Sequence, residues 1–119
     1  SPAGTLITFL DRMFFAGGET FAHKPGCAVV SARRAGTTAS LDVLNKYFTI
    51  SQMPIVPSAY WNMVHGSNAA DVARDAEGLQ TMRQLGRNMG RMIRCFALAR
   101  EQGILPPEAE KRVRTNFIR

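Results

Sequence analysis

A chain of 119 residues, 45% of them apolar and 20% charged, has the size and make-up of one ordinary globular domain and falls outside the disordered, collagen-like and disulfide-scaffold classes. Fifteen Lys and Arg against nine Asp and Glu leave a formal charge of +6 and a pI near 10.2, a basic surface suited to acidic partners or phosphorylated ligands. No run approaches the ~18 apolar residues that cross a bilayer and no basic-then-apolar leader opens the sequence, so a cytoplasmic protein without a membrane partner is expected.

In chain order, Leu6, Phe9, Leu10, Met13 and Phe14 recur at helical intervals and predict an amphipathic helix over residues 4–15. Gly17 or Gly18 is placed to supply its left-handed cap. Asp11 and Arg12 are adjacent, so they point about 100° apart and find separate partners. After Pro25-Gly26, the apolar run 27–31 reads as a strand, and Ser31-Ala32-Arg33-Arg34-Ala35-Gly36-Thr37-Thr38 as the turn that follows it. Leu41, Leu44, Tyr47 and Phe48 then predict a helix of about three turns, with Thr37 or Thr38 as its cap. Met53-Pro54-Ile55-Val56 is the second apolar run, and strand, helix and strand together predict a parallel β-α-β unit with 50–57 at the sheet edge. Residues 58–66, with the only Trp and one of two Tyr, read as an aromatic loop. Asn68 with Asp71 three later starts a helical pattern that runs to about Gln102, lined by Val72, Leu79, Met82, Met89, Ile93 and Phe96. Gly86 and Gly90 on that helix imply a second backbone packed close. Residues 104–119 form a charged tail in which Phe117 and Ile118 are expected to pin the end to the body.

The chemistry-bearing residues form few known patterns. Neither Gly-x-Gly-x-x-Gly nor Gly-x-x-x-x-Gly-Lys-Ser/Thr occurs. Cys27 and Cys95 match no metal spacing and read as buried free thiols; His23 and His65 lack a second ligand nearby and read as solvated or structural. No nucleophile elbow surrounds Ser31, Ser51 or Ser58, and no catalytic residue is assigned. Two features remain. The 31–38 turn gathers two guanidinium groups, a glycine, two hydroxyls and a helix N-terminus, which suits an anionic or carbonyl-rich ligand as well as it suits a plain solvated turn with a Thr cap. Arg83, Arg87, Arg91 and Arg94 stripe one face of the long helix, the basis of an alternative in which the chain is an interaction module for nucleic acid or an acidic partner. No stacking platform or helix-turn-helix accompanies the stripe, so nucleic acid is not the expected partner.

Taken together, Ser1-Pro2-Ala3-Gly4-Thr5-Leu6, Phe9-Leu10-Asp11-Arg12, Lys24-Pro25-Gly26, Val29 to Thr38, Leu44 to Phe48, Tyr60-Trp61-Asn62, His65-Gly66 and the closing 114–119 make the chain similar to the C-terminal part of the flavodoxin-like NAD(P)H-dependent FMN reductases, a group that includes relatives of the iron-sulfur flavoproteins. The resemblance implies a doubly wound parallel sheet in a three-layer α/β/α arrangement, with FMN at the C-terminal ends of the strands. It also implies a homo-oligomer, dimer or tetramer, whose subunits share the flavin sites. Ser1, Pro2, Ala3 and Gly4 would line the isoalloxazine edge; Arg33, Arg34, Ala35, Gly36 and Thr37 would form the next loop around the ring; Tyr60 and Trp61 would lie near the flavin or a neighbouring subunit. The implied reaction is hydride transfer from NAD(P)H through FMN to a small-molecule acceptor. Ile7 stands where the family carries Lys, and the family's phosphate loop has no counterpart. Residues 1–119 are therefore expected to be the C-terminal part of one such domain, inactive alone. Two distant cysteines fall short of the about four thiolates a cluster takes.

Overall fold

The computed structural model describes residues 1–118. Helix α1 spans Gly4–Gly17, longer by two residues than the periodicity implies, and its inward stripe is Ile7, Leu10 and Phe14, leaving Leu6 and Phe9 exposed at 42% and 60%. Neither glycine takes the left-handed cap: Gly18 is right-handed at φ −54, and the chain runs directly into a single 3-10 turn, Gly18–Phe21. Phe21 thereby comes 5.1 Å from Phe14, which also meets Tyr47 at 5.4 Å and Phe48 at 6.3 Å. Such tilted and edge contacts suit the ring quadrupoles. The Tyr47 hydroxyl donates to Asp11 Oδ1, the separate partner expected for that carboxylate.

The sheet has two parallel strands, β1 (Val30–Ala32) and β2 (Met63–His65), in the register Val30 to Met63, Ser31 to Val64 and Ala32 to His65. This corrects the predicted pair. Residues 27–29 approach β1 without laddering, and Met53 to Val56 contributes only an isolated parallel bridge, Gly26 to Ile55. In that bridge Gly26 N–H donates to Pro54 O at 3.0 Å and Val56 N–H to Gly26 O at 2.9 Å, so the proline presents the one backbone group it has. A side chain at Gly26 would meet Phe48 and Met53 at 3.0 Å, which accounts for the glycine. Between bridge and strand one segment advances from 26 to 30 and the other from 55 to 63, so the second carries a four-residue excursion holding Tyr60 and Trp61.

Helix α2, Thr37–Ile50, is about four turns long and starts from Gly36 at φ 87. No side chain caps it. Thr37 is instead the buried first residue of the helix, and the Ser40 hydroxyl folds back onto Gly36 O at 2.8 Å. Leu41 and Leu44 enter the core with Ala28 and Met63, against Ile7, Leu10, Val30 and Phe48. Neighbouring strand residues point to opposite faces, so Met63 meets α2 while Val64 meets the final helix, where a side chain at Gly78 would lie 2.9 Å from Val64 Cγ1.

The long C-terminal helical pattern is broken. A short α3, Ala69–Val72, begins as expected with Asn68 Oδ1 accepting from Asp71 N–H at 3.0 Å. A new cap, Asp75, then starts α4, Ala76–Glu101. Gly78, Thr81 and Leu85 are its buried face, and beyond about residue 91 it stands clear of the body, with Ile93 and Phe96 exposed at 52% and 40%. Cys95 is exposed rather than buried, and Cys27 half-buried. Nothing lies within 4 Å of a side chain built at Gly86 or Gly90, so the close backbone expected there is not supplied by the described residues. Residues 104–118 have no regular structure, and Phe117 and Ile118 are exposed at 91% and 89% instead of anchoring the tail. No described helix is long and apolar enough to cross a membrane.

Candidate functional site

A parallel strand pair delivers its C-terminal ends to one edge, where the following loops gather and ligands of open α/β sheets bind. Here Ala32 and His65 are the register partners at that edge. Residues 33–36 continue from β1 as an exposed loop, turned by the left-handed Gly36, a conformation costing a residue with a Cβ about 1–2 kcal/mol. Residues 1–3 arrive beside it as the lead into α1: a side chain at Gly36 would lie 4.0 Å from the Ser1 amino nitrogen.

Between these loops lies a cleft of about 220 Å³, bordered by Ser1, Pro2 and Ala3 on one side, Ala35, Gly36 and Ser40 on the other, and β1 with Leu6 and Leu44 behind. β1 is paired only with β2 among the described residues, so its other edge, from exposed Val29 onward, forms the back wall. The first turn of α2 has no side-chain cap, which leaves backbone N–H groups for an acceptor-rich ligand. Arg33 and Arg34 are exposed on the connecting loop. Gly4 opens α1 and Thr37 is the buried first residue of α2, and neither borders the cleft.

Of the predicted site residues, then, the fold brings Ser1, Pro2, Ala3, Ala35 and Gly36 onto one cleft. Trp61 does not border it. Trp61 lies on the excursion with Tyr60, the two rings 4.8 Å apart, beside a different hollow against α2. Sequence reasoning missed Ser40 and Leu44, although both follow Gly36 at four-residue steps and so share its face of α2. It also missed Asp75. That carboxylate accepts from Gly78 N–H at 2.9 Å and from His65 N–H at 2.7 Å, tying the end of β2 to the start of α4. Those two bonds, Gly78 first, hold Asp75 below the ordinary carboxylate range. A capping residue before a glycine-containing first turn was the available signal. Burial pushes the Cys27 thiol up, and it takes no part in the cleft.

The donor set fits one edge of a flavin ring. The backbone amides of the uncapped first turn of α2 match the carbonyl-rich side of an isoalloxazine, and the apolar wall of Leu6, Val29 and Leu44 matches the flat ring body, while Arg33 and Arg34 lie outside the cleft lining. The volume falls short of the ~300–1,000 Å³ that encloses a complete ligand, and the cleft residues include no phosphate-cradling sequence. The family model for NADPH-dependent FMN reductases matches residues 1–68, which hold the whole cleft and both strands. No curated protein and no solved structure matches the chain.

Proposed function

The chain belongs to the NADPH-dependent FMN reductase family, and from that premise we propose that it forms the ring-binding part of an FMN-dependent NAD(P)H oxidoreductase. The observation that carries the reading is the meeting of residues 1–3 with residues 35–36 on one cleft at the C-terminal edge of a parallel sheet. FMN, when bound, supplies hydride transfer between the nicotinamide and a small-molecule acceptor. The chain's own residues orient and hold. Backbone amides of the 1–4 and 33–37 loops meet the ring's oxygens and nitrogens, Arg33 and Arg34 draw negative charge toward the cleft mouth, and the apolar wall excludes water from one ring face.

In this reading the two-stranded sheet is one portion of a flavodoxin-like, three-layer α/β/α domain. Two strands alone are marginal, and the exposed Phe9 on α1, away from the cleft lining, is a surface on which further elements of the domain would pack. Since the ring edge is held here and the phosphate is not, residues 1–119 taken alone bind FMN weakly and turn over slowly. The exposed apolar half of α4 suits a homo-oligomer, dimer or tetramer, in a cytoplasmic enzyme.

The test is FMN titration followed by quenching of flavin emission, with NADPH oxidation measured in parallel. Arg33→Ala/Arg34→Ala together weaken FMN binding at least tenfold and flatten its dependence on salt, because two of the charges that draw the anionic ligand toward the cleft mouth are gone. Unchanged affinity and unchanged salt dependence would remove these loops from the flavin site.

A further inference from the structure

The edge of β2 turned away from β1 faces the first turns of α4. Val30 N–H donates to Asn62 O and Gly66 N–H to Ala32 O, so Met63 and His65 direct their main-chain groups away from β1. One of these is covered, since His65 N–H donates to Asp75 Oδ2 at 2.7 Å. Between this edge, Tyr60 and α4 lies a hollow of about 230 Å³ whose lining includes the buried Met63, Gly78 and Thr81. It shares no residue with the 1–3 and 35–36 cleft.

Thr81 is the informative residue. It is 5% exposed, and its hydroxyl bonds to nothing among the described residues. Thr8 and Ser40 fold their hydroxyls back onto the carbonyl four positions earlier, Gly4 O at 3.0 Å and Gly36 O at 2.8 Å; Thr81 makes no such bond to Glu77 O. Every wholly enclosed side-chain nitrogen or oxygen of the described residues has a partner, so the Thr81 oxygen opens onto the hollow that the residue lines. A hydroxyl held this deep is unfavourable unless a ligand or water meets it.

The polar groups around that oxygen are mainly acceptors. Asp75 and Glu77 bring carboxylates, and the Gly78 and His65 amides keep Asp75 ionised. No Lys or Arg lines the hollow, although the chain carries a formal charge of +6. An anion would therefore meet two carboxylates with no countercharge, and no cluster of His, Cys, Asp and Glu able to hold a metal ion occurs among the described residues. An ammonium group has three donors and no acceptor, and the face of an aromatic ring such as Tyr60 attracts it. Met63 supplies apolar surface for a carbon chain. We propose that this hollow binds a primary alkylammonium group on a short chain, the nitrogen donating to Thr81 Oγ1 and to the Asp75 and Glu77 carboxylates, the methylenes lying against Met63 and Tyr60. The proposal stands whether or not the cleft takes flavin.

The probe is n-butylammonium, titrated into the full isotope-labelled chain and followed in amide correlation spectra. Saturable shifts at the His65, Gly78 and Thr81 amides are expected, with a dissociation constant near ~1 mM, the affinity that a handful of heavy atoms supplies. Thr81→Val keeps the side-chain shape and removes the oxygen, which raises the dissociation constant about tenfold by loss of a hydrogen bond to a charged group. Glu77→Gln, at an exposed position, raises it about threefold. Tetramethylammonium carries the same charge without an N–H and produces no saturable shift. Shifts without saturation, equal affinity in Thr81→Val, or tetramethylammonium bound as tightly as n-butylammonium would each overturn the proposal. The dispersion of the spectrum shows whether Thr81→Val folds; if it does not, Glu77→Gln decides, and unchanged affinity there overturns the proposal.

Discussion

The three glycines of α4 give a test of opposite signs on one helix. Replacing a helical glycine by alanine gains about 1 kcal/mol of propensity. At Gly86 and Gly90 a new Cβ meets nothing within 4 Å, so the whole gain is kept and each variant is stabilised by about 1 kcal/mol. For a domain of this size that raises the melting temperature by roughly 4 °C. At Gly78 the new Cβ falls inside contact distance of Asp75 Oδ2, 2.8 Å from its Cγ and 2.9 Å from Val64 Cγ1. Asp75 is held by two backbone N–H groups and Val64 is buried at 8%, so neither yields freely. Overpacking of this kind costs about 1–3 kcal/mol and outweighs the propensity gain, leaving Gly78→Ala destabilised by about 1 kcal/mol. Urea unfolding followed by circular dichroism at two protein concentrations measures all three. A Gly78→Ala protein more stable than the parent would refute the packing argument. A loss of stability at Gly86 or Gly90 would show that a second backbone covers that face, refuting the open surface described for α4.

Asp75 also sets an acid limit. Its folded pKa lies below the unfolded value, so its contribution is complete above ~pH 4 and is lost as pH falls through the lower folded value. The gap between the urea midpoints of the parent and Asp75→Ala is therefore widest near pH 6 and narrows as pH falls to 2; a gap that persists unchanged at pH 2 would contradict this. Val56 is the one fully buried large side chain among the described residues. Val56→Ala removes two methylene equivalents at ~0.8 kcal/mol each and leaves a small cavity, for a loss of about 2 kcal/mol in denaturant titration. Thiol labelling at pH 7.5 shows a fast phase from exposed Cys95 and a slow one from Cys27, whose thiol is raised by burial. Cys95→Ser removes only the fast phase.

Much of this fold is legible along the sequence where periodicity is long. The stripe in α1 and the Leu41, Leu44, Phe48 stripe in α2 place both helices, and the Asn68 cap places α3. Short elements are another matter. β2 is three residues, Met63 to His65, directly after an aromatic loop, while the stronger apolar run at 53–56 makes a single bridge. Apolar content marks what is buried, and Val56 is indeed fully buried; ladder pairing depends on where the chain has room to lie alongside β1. The break at Asp75 escaped because a continuous apolar rhythm crosses it, whereas the helix ends for a reason outside that rhythm, the hydrogen bond from His65 N–H. At the site, residues 1–3 and 35–36, which family likeness singles out, share one cleft, and their convergence follows from Gly36. Trp61, expected near the flavin or a neighbouring subunit, is carried by the four extra residues to a different hollow from that cleft.

Those four residues have a consequence for how the chain can vary. Both ends of the excursion are clamped by main-chain bonds, Val56 N–H to Gly26 O before it and Val30 N–H to Asn62 O after it. Its length is therefore decoupled from strand alignment, and doubling a loop adds only about 0.6 kcal/mol of closure entropy. Insertions or deletions between Pro57 and Trp61 can therefore reshape the surface beside α2 while the strand register and the 1–3 and 35–36 cleft keep their form.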